Sequence, residues 1–153
     1  MGKLSAFIGV LVAIVITYFL WWNRFPPFDG HGEPVPVAVA EVEFAMNEVQ
    51  VKGTAHYATR LSRTWPKSLF REERTLWFFP LFAPKDIESR KIRVMVASDD
   101  APDRLTSFED KVVEGWARPP AARMDAESEQ VFRAAGYSFE ETYVLIETFG
   151  PSE

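Results

Sequence analysis

Two hydrophobic patterns divide this chain. Leu4 to Trp22 reads LSAFIGVLVAIVITYFLWW, 19 residues without a charged side chain. As an α-helix that run is about 28 Å long, close to the hydrocarbon thickness of a bilayer. Beyond Pro36 the apolar residues come in short runs, many alternating with polar ones, as half-buried strands do. Glu48–Tyr57 puts Val49 and Val51 on one face and Gln50 and Lys52 on the other. Lys91–Ala97 places Ile92, Val94 and Val96 together. Thr75–Phe82, TLWFFPLF, has the length and aromatic content of a buried strand, with Pro80 marking an edge, a bulge or its end. Lys111–Arg118 and Thr142–Phe149 read as further strands. Val37–Met46 reads as a first strand, with a helix as the rival assignment because of its alanines.

A helix is expected between the last two strands. Asp125 suits its N-cap, Glu127 and Glu129 its first turn, and Gly136 its stop, with Val131, Phe132 and Ala135 facing inward. Gly53 and Gly115 interrupt strands in VKGTAHY and VEGWARP, where barrel corners need a residue without a side chain. The expected fold is an N-terminal transmembrane helix plus a mainly-β domain with one or two short helices. That domain would be a small barrel or barrel-like sandwich, loosely of oligonucleotide/oligosaccharide-binding type.

The organisation follows: anchor 1–24, linker 25–36, β-rich domain 37–153. The apolar run is too long for a secretory signal. It ends in Tyr18, Phe19, Trp21 and Trp22, an interfacial aromatic belt rather than a cleavage site. Ser5, Gly9 and Ala13 recur every four residues and would let a neighbouring helix pack closely. Lys3 and Arg24 tie the positive-inside count; the short head before Lys3 suits a cytoplasmic N-terminus and an exported, periplasmic domain on the inner membrane. Pro26, Pro27, Pro34 and Pro36 make the linker extended and semi-rigid. Within it Asp29, His31 and Glu33 alternate as weak metal-ligand candidates against a simple polar turn at Asp29-Gly30.

The absence of cysteine excludes disulfides, thiolate metal sites and cysteine nucleophiles. A net charge of −5 argues against a nucleic-acid partner. One segment breaks that balance. Arg60 to Arg74, RLSRTWPKSLFREER, carries net charge +3. Its cations Arg60, Arg63, Lys67, Arg71 and Arg74 are spaced to share one face of a helix, with Leu61, Trp65 and Leu69 opposite. Pro66 forbids a helix across the whole segment but fits the first turn of one. Arg60, Arg63, Trp65, Lys67, Arg71 and Arg74 are the expected contact surface for anionic lipid or a protein partner.

Catalytic signatures are lacking in the sequence. No serine sits in a nucleophile elbow and no glycine loop cradles phosphate. Asp99, Asp100, Asp103, Glu109 and Asp110 read as a solvated acidic loop more readily than as a glycosidase pair. The leading expectation is therefore a non-enzymatic accessory, scaffold or assembly protein without a cofactor, binding membrane lipid and the integral proteins of a larger complex. One alternative is a tethered carrier of haem or metal, or a small enzyme, centred on His56 and Tyr57. Another is a cell-envelope glycan-binding domain using Trp77 and Trp116.

Overall fold

The structure, a computed structural model, describes residues 33–148 apart from 45, 68, 70, 71 and 85. The expected transmembrane run with Ser5, Gly9 and Ala13, the linker residues Asp29 and His31, and Arg71 lie outside the described residues. Among the described residues no helix is long and apolar enough to cross a membrane.

The domain is mainly β: a closed five-stranded barrel with one helix. The described strands are β1 (Val35–Ala38), β2 (Glu48–His56), β3 (Leu61–Trp65), β4 (Arg74–Phe82), β5 (Lys91–Ser98), β6 (Phe108–Arg118) and β7 (Ser138–Thr148). The helix, α1, spans Ala126–Ala134. The barrel ring runs β2-β6-β7-β5-β4 and closes where β4 returns to β2 through Thr54↔Phe82 and Ala55↔Leu81. Every ring contact is antiparallel except β5 with β7. β1 lies parallel on the first half of β2, and β3 forms a hairpin with the first half of β4.

Alternation sorts the side chains into two cores. Val49, Val51, Phe79, Leu81, Val94, Val96, Val113, Val144 and Ile146 fill the barrel interior. On the outer face, Leu76, Phe78, Met95 and Leu145 meet Phe132 of α1. Closure depends on Gly53 and Gly115. A Cβ on Gly53 would lie 2.7 Å from the Phe82 carbonyl oxygen, and one on Gly115 would lie 2.2 Å from that of Glu147. Both glycines sit where strands cross too closely for any side chain.

The helix forms as its caps dictate. Asp125 accepts a hydrogen bond from the Ser128 amide at 2.8 Å, and Gly136 ends the turn at φ +90°. Its inner face differs from expectation: Phe132 and Ser128 are buried, while Val131 is 40% exposed. Two further expectations change. The first strand is confined to Val35–Ala38 and gives way to a 3-10 turn at Val39–Glu41. The described part of the basic segment holds no helix. Leu61–Trp65 is β3, antiparallel to Arg74–Phe78, because pairing with the neighbouring strand outweighs a charge spacing that merely permits a helix.

Candidate functional site

Strand geometry scatters the basic segment. Leu61, Arg63 and Trp65 share one side of β3 and are half-buried, while Ser62 and Thr64 face solvent. Arg63 pairs with Asp125 at the helix N-cap and donates to Ser128 Oγ at 3.2 Å. The Ser128 amide and hydroxyl, followed by Arg63, hold the Asp125 carboxyl down to about 2. Lys67 pairs with Glu72 at 3.2 Å. Arg60 donates to the Asp103 carbonyl oxygen at 3.2 Å. Arg74 makes two 2.8 Å bonds to the Asp99 carboxylate and a third, also 2.8 Å, to Glu147 Oε1. The expected cationic face is thus largely neutralised within the domain.

Glu147 is the centre of the site, and it is 2% exposed. It lies on the outer face of β7, level with Ala97 of β5 and Trp116 of β6. Arg123 Nη2 reaches Glu147 Oε1 at 3.1 Å, and Arg118 Nε lies 3.0 Å from Oε2. With Arg74, three guanidinium groups converge on one buried carboxylate. Burial works to raise the Glu147 pKa; Arg123, then Arg118 and Arg74, overcome it and hold the carboxyl below its ordinary range. The Arg123 and Arg63 guanidiniums also stand 5.8 and 5.9 Å from the centre of the Trp65 ring, a cation–π arrangement.

These groups border a cavity of about 650 Å³. Trp65, Pro66, Leu76, Arg74, Arg123, Glu72 and Glu73 line it. Its volume falls within the range of small-ligand sites, about 300–1,000 Å³. Its lining joins an apolar floor to guanidinium donors and two carboxylates.

The other sequence candidates lie apart. His56 and Tyr57, adjacent on the chain, point to opposite sides of the barrel wall. His56 is buried among Phe82, Phe108 and Tyr137, with ring centres 4.6, 4.5 and 6.5 Å away. Burial, then the charge of Arg90, lowers its pKa. Tyr57 turns inward against Phe79 and donates to Glu109 at 2.5 Å; burial and that bond push its phenol up. Trp77 and Trp116 lie on opposite faces of the sheet, as the register Phe78↔Ala97↔Glu147↔Trp116 requires. Glu33 is exposed, and no group of three or more His, Asp or Glu among the described residues is arranged to hold a metal.

Glu147 and Arg123 were not singled out from the sequence. Glu147 had a signal. In TYVLIET it shares a face with Tyr143 and Leu145, where every neighbour is suited to burial. Arg123 had none, because only the folded chain brings Pro120–Ala122 over β7. No protein-family model, curated protein or solved structure matches this chain.

Proposed function

We propose that this protein is a single-pass, membrane-anchored accessory or assembly protein that acts by binding a larger membrane complex. The cavity beside the β3–β4 hairpin carries this reading. It gathers Trp65 and Arg74, two of the expected contact residues, around a concave and partly charged surface. The ring order supports a fold loosely of oligonucleotide/oligosaccharide-binding type. Taken in chain order, the barrel strands connect first-second-third-fifth-fourth-first, with third and fifth parallel. The helix departs from that pattern, lying between fourth and fifth strands.

The apolar run Leu4–Trp22 supports an anchor, and the short head before Lys3 supports a cytoplasmic N-terminus with the barrel on the other side of the inner membrane. Internal pairing of Arg63, Lys67 and Arg74 favours a protein partner over a flat anionic lipid surface. A carrier built jointly on His56 and Tyr57 is disfavoured by their opposite orientations, and a glycan platform by those of Trp77 and Trp116.

The test is purification of the full chain from its native membranes in a mild detergent, with mass spectrometry of what stays bound. A stoichiometric membrane partner that is lost in folded Trp65→Ala is the expected result. A protein that emerges alone overturns the reading. Charge reversal at Arg63 is unsuitable for this purpose, since it would set two carboxylates against each other at Asp125.

A further inference from the structure

We infer that the His56–Phe108 end of the β2–β6 ladder is an acid-released lid: when the buried imidazole takes up a proton, Ser107 and Phe108 lift away from β2 while the rest of the barrel stays closed. This goes beyond the binding-protein reading and does not rest on it.

The imidazole is shut away from water. His56 is 4% exposed, and its Nε2 is buried without a hydrogen-bond partner. A neutral ring tolerates that at small cost. An imidazolium has two N–H donors and a charge, and each donor needs an acceptor or water. The closed box provides none at Nε2. Phe82 comes from β4, which has no ionisable side chain from Thr75 to Ala83. Tyr137 leads into β7 and lies under Arg90 of the turn before β5. Phe108 opens β6; after it, Glu109 accepts from the Tyr57 phenol and Asp110 from Thr54 Oγ1. Of these charges, that of Arg90 bears on the ring, and it repels a second cation.

The three covers differ in strength. Phe82 and Tyr137 are 2% and 8% exposed and stack on each other with ring centres 6.2 Å apart. Arg90 braces Tyr137, and the Ser138 N–H donates to the Arg90 carbonyl oxygen at 3.0 Å. Phe108 is 55% exposed and meets His56 edge-on at the last rung of the ladder. Beyond that rung the Tyr57 N–H donates to the Ser107 carbonyl oxygen at 2.8 Å. Raising Ser107 and Phe108 is therefore the least costly way to bring water to the ring. The Tyr57–Glu109 and Thr54–Asp110 bonds hold the following rungs and end the opening there. The lifted lid leaves Phe82 and Tyr137 as an uncovered apolar bed.

Amide hydrogen exchange of the full chain in a neutral detergent tests this at three bonds. They are the Tyr57 N–H on the lid, the Ser138 N–H on the Tyr137 side, and the Ala117 N–H, which donates to the Asn47 carbonyl oxygen at the other end of the ladder. A released imidazole has its ordinary value of 6.5, so protonation favours the open state at most about tenfold more at pH 5.5 than at pH 7.5. After correction for intrinsic exchange rates, protection of Tyr57 should fall several-fold over that interval. At pH 5.5 it should lie below that of Ser138 and Ala117 and be insensitive to low urea, as local opening is. His56→Phe should abolish the pH response at Tyr57. Phe108→Ala, at an exposed position, should admit water without opening and bring the imidazole titration, followed by its nitrogen resonances, back towards 6.5; this decides the matter if His56→Phe does not fold. Tyr57 protection that ignores pH, matches Ala117 in size and urea dependence, or falls in step with Ser138 overturns the inference. A pH response that survives in His56→Phe, or an imidazole titration unmoved in Phe108→Ala, overturns it as well.

Discussion

At the residue scale, Glu147 and His56 are the two buried groups on which stability depends through charge. Breaking a buried ion pair from one side costs about 3–5 kcal/mol when the remaining charges are cut off from water. Around Glu147 the arginine side chains keep 28–41% exposure, so the remaining guanidiniums can hydrate. Glu147→Gln should therefore destabilise the domain by a smaller amount, on the order of 2 kcal/mol, as measured by urea unfolding at neutral pH. Because the folded carboxyl lies below its ordinary value of 4.5, its stabilisation is present above that value and is lost as pH falls through the folded pKa. His56 acts in a higher window. Its folded pKa is lowered from 6.5 by burial and by Arg90, so the unfolded chain takes up the proton first. Its contribution is present above pH 6.5 and is lost on acidification. In His56→Phe, which extends the aromatic cluster of Phe82, Phe108 and Tyr137, the unfolding midpoint should change little between pH 7.5 and 5.5. The parent should lose stability over that interval. Equal slopes would show that another group carries the acid sensitivity.

At the element scale, the barrel is held shut by two backbone crossings, and both were legible. An isolated glycine inside an otherwise alternating strand marks a bulge or a close approach, and VKGTAHY and VEGWARP each have one. Gly115→Ala places a methyl group 2.2 Å from the Glu147 carbonyl oxygen, a contact that only movement of β6 or β7 can relieve. That variant should show amide exchange rising across Gly115–Arg118 and Leu145–Thr148 together, or fail to fold. Gly53→Ala should loosen the β2–β4 seam instead, at Thr54–Ala55 and Leu81–Phe82. The helix was legible for the same reason: Asp125, Glu127 and Gly136 act through neighbours a few residues away. β3 was not. Its cation spacing suits a helix, and nothing local reveals that Trp65 will pair with Arg74 across a turn. The arginine cluster was hidden for a stronger version of that reason. Arg74, Arg118, Arg123 and Glu147 come from four separate elements, and only barrel closure brings them together. Alternation in TYVLIET exposes half of it, since a carboxylate on a face bound for burial must find positive partners.

At the scale of the whole molecule, the proposed anchor leaves one question that decides where a partner would be met: the side of the membrane on which the barrel would lie. A linker over residues 25–36, as proposed, would reach at most about 40 Å when fully extended. A domain tethered in that way would meet membrane partners at high effective concentration, so a cavity of modest affinity would be enough if the partner were on the same side. The absence of cysteine makes the side directly measurable. Ala101 is exposed in the β5–β6 loop, away from Arg123 in sequence and outside the cavity lining, so Ala101→Cys creates a single reactive thiol. A membrane-impermeant maleimide should label that thiol in intact spheroplasts and leave it untouched in sealed inverted vesicles. Labelling in the vesicles alone would put the barrel in the cytoplasm. The tie between Lys3 and Arg24 would then have been broken by charges in the domain itself, and the partner of the proposed complex would be met on its cytoplasmic face.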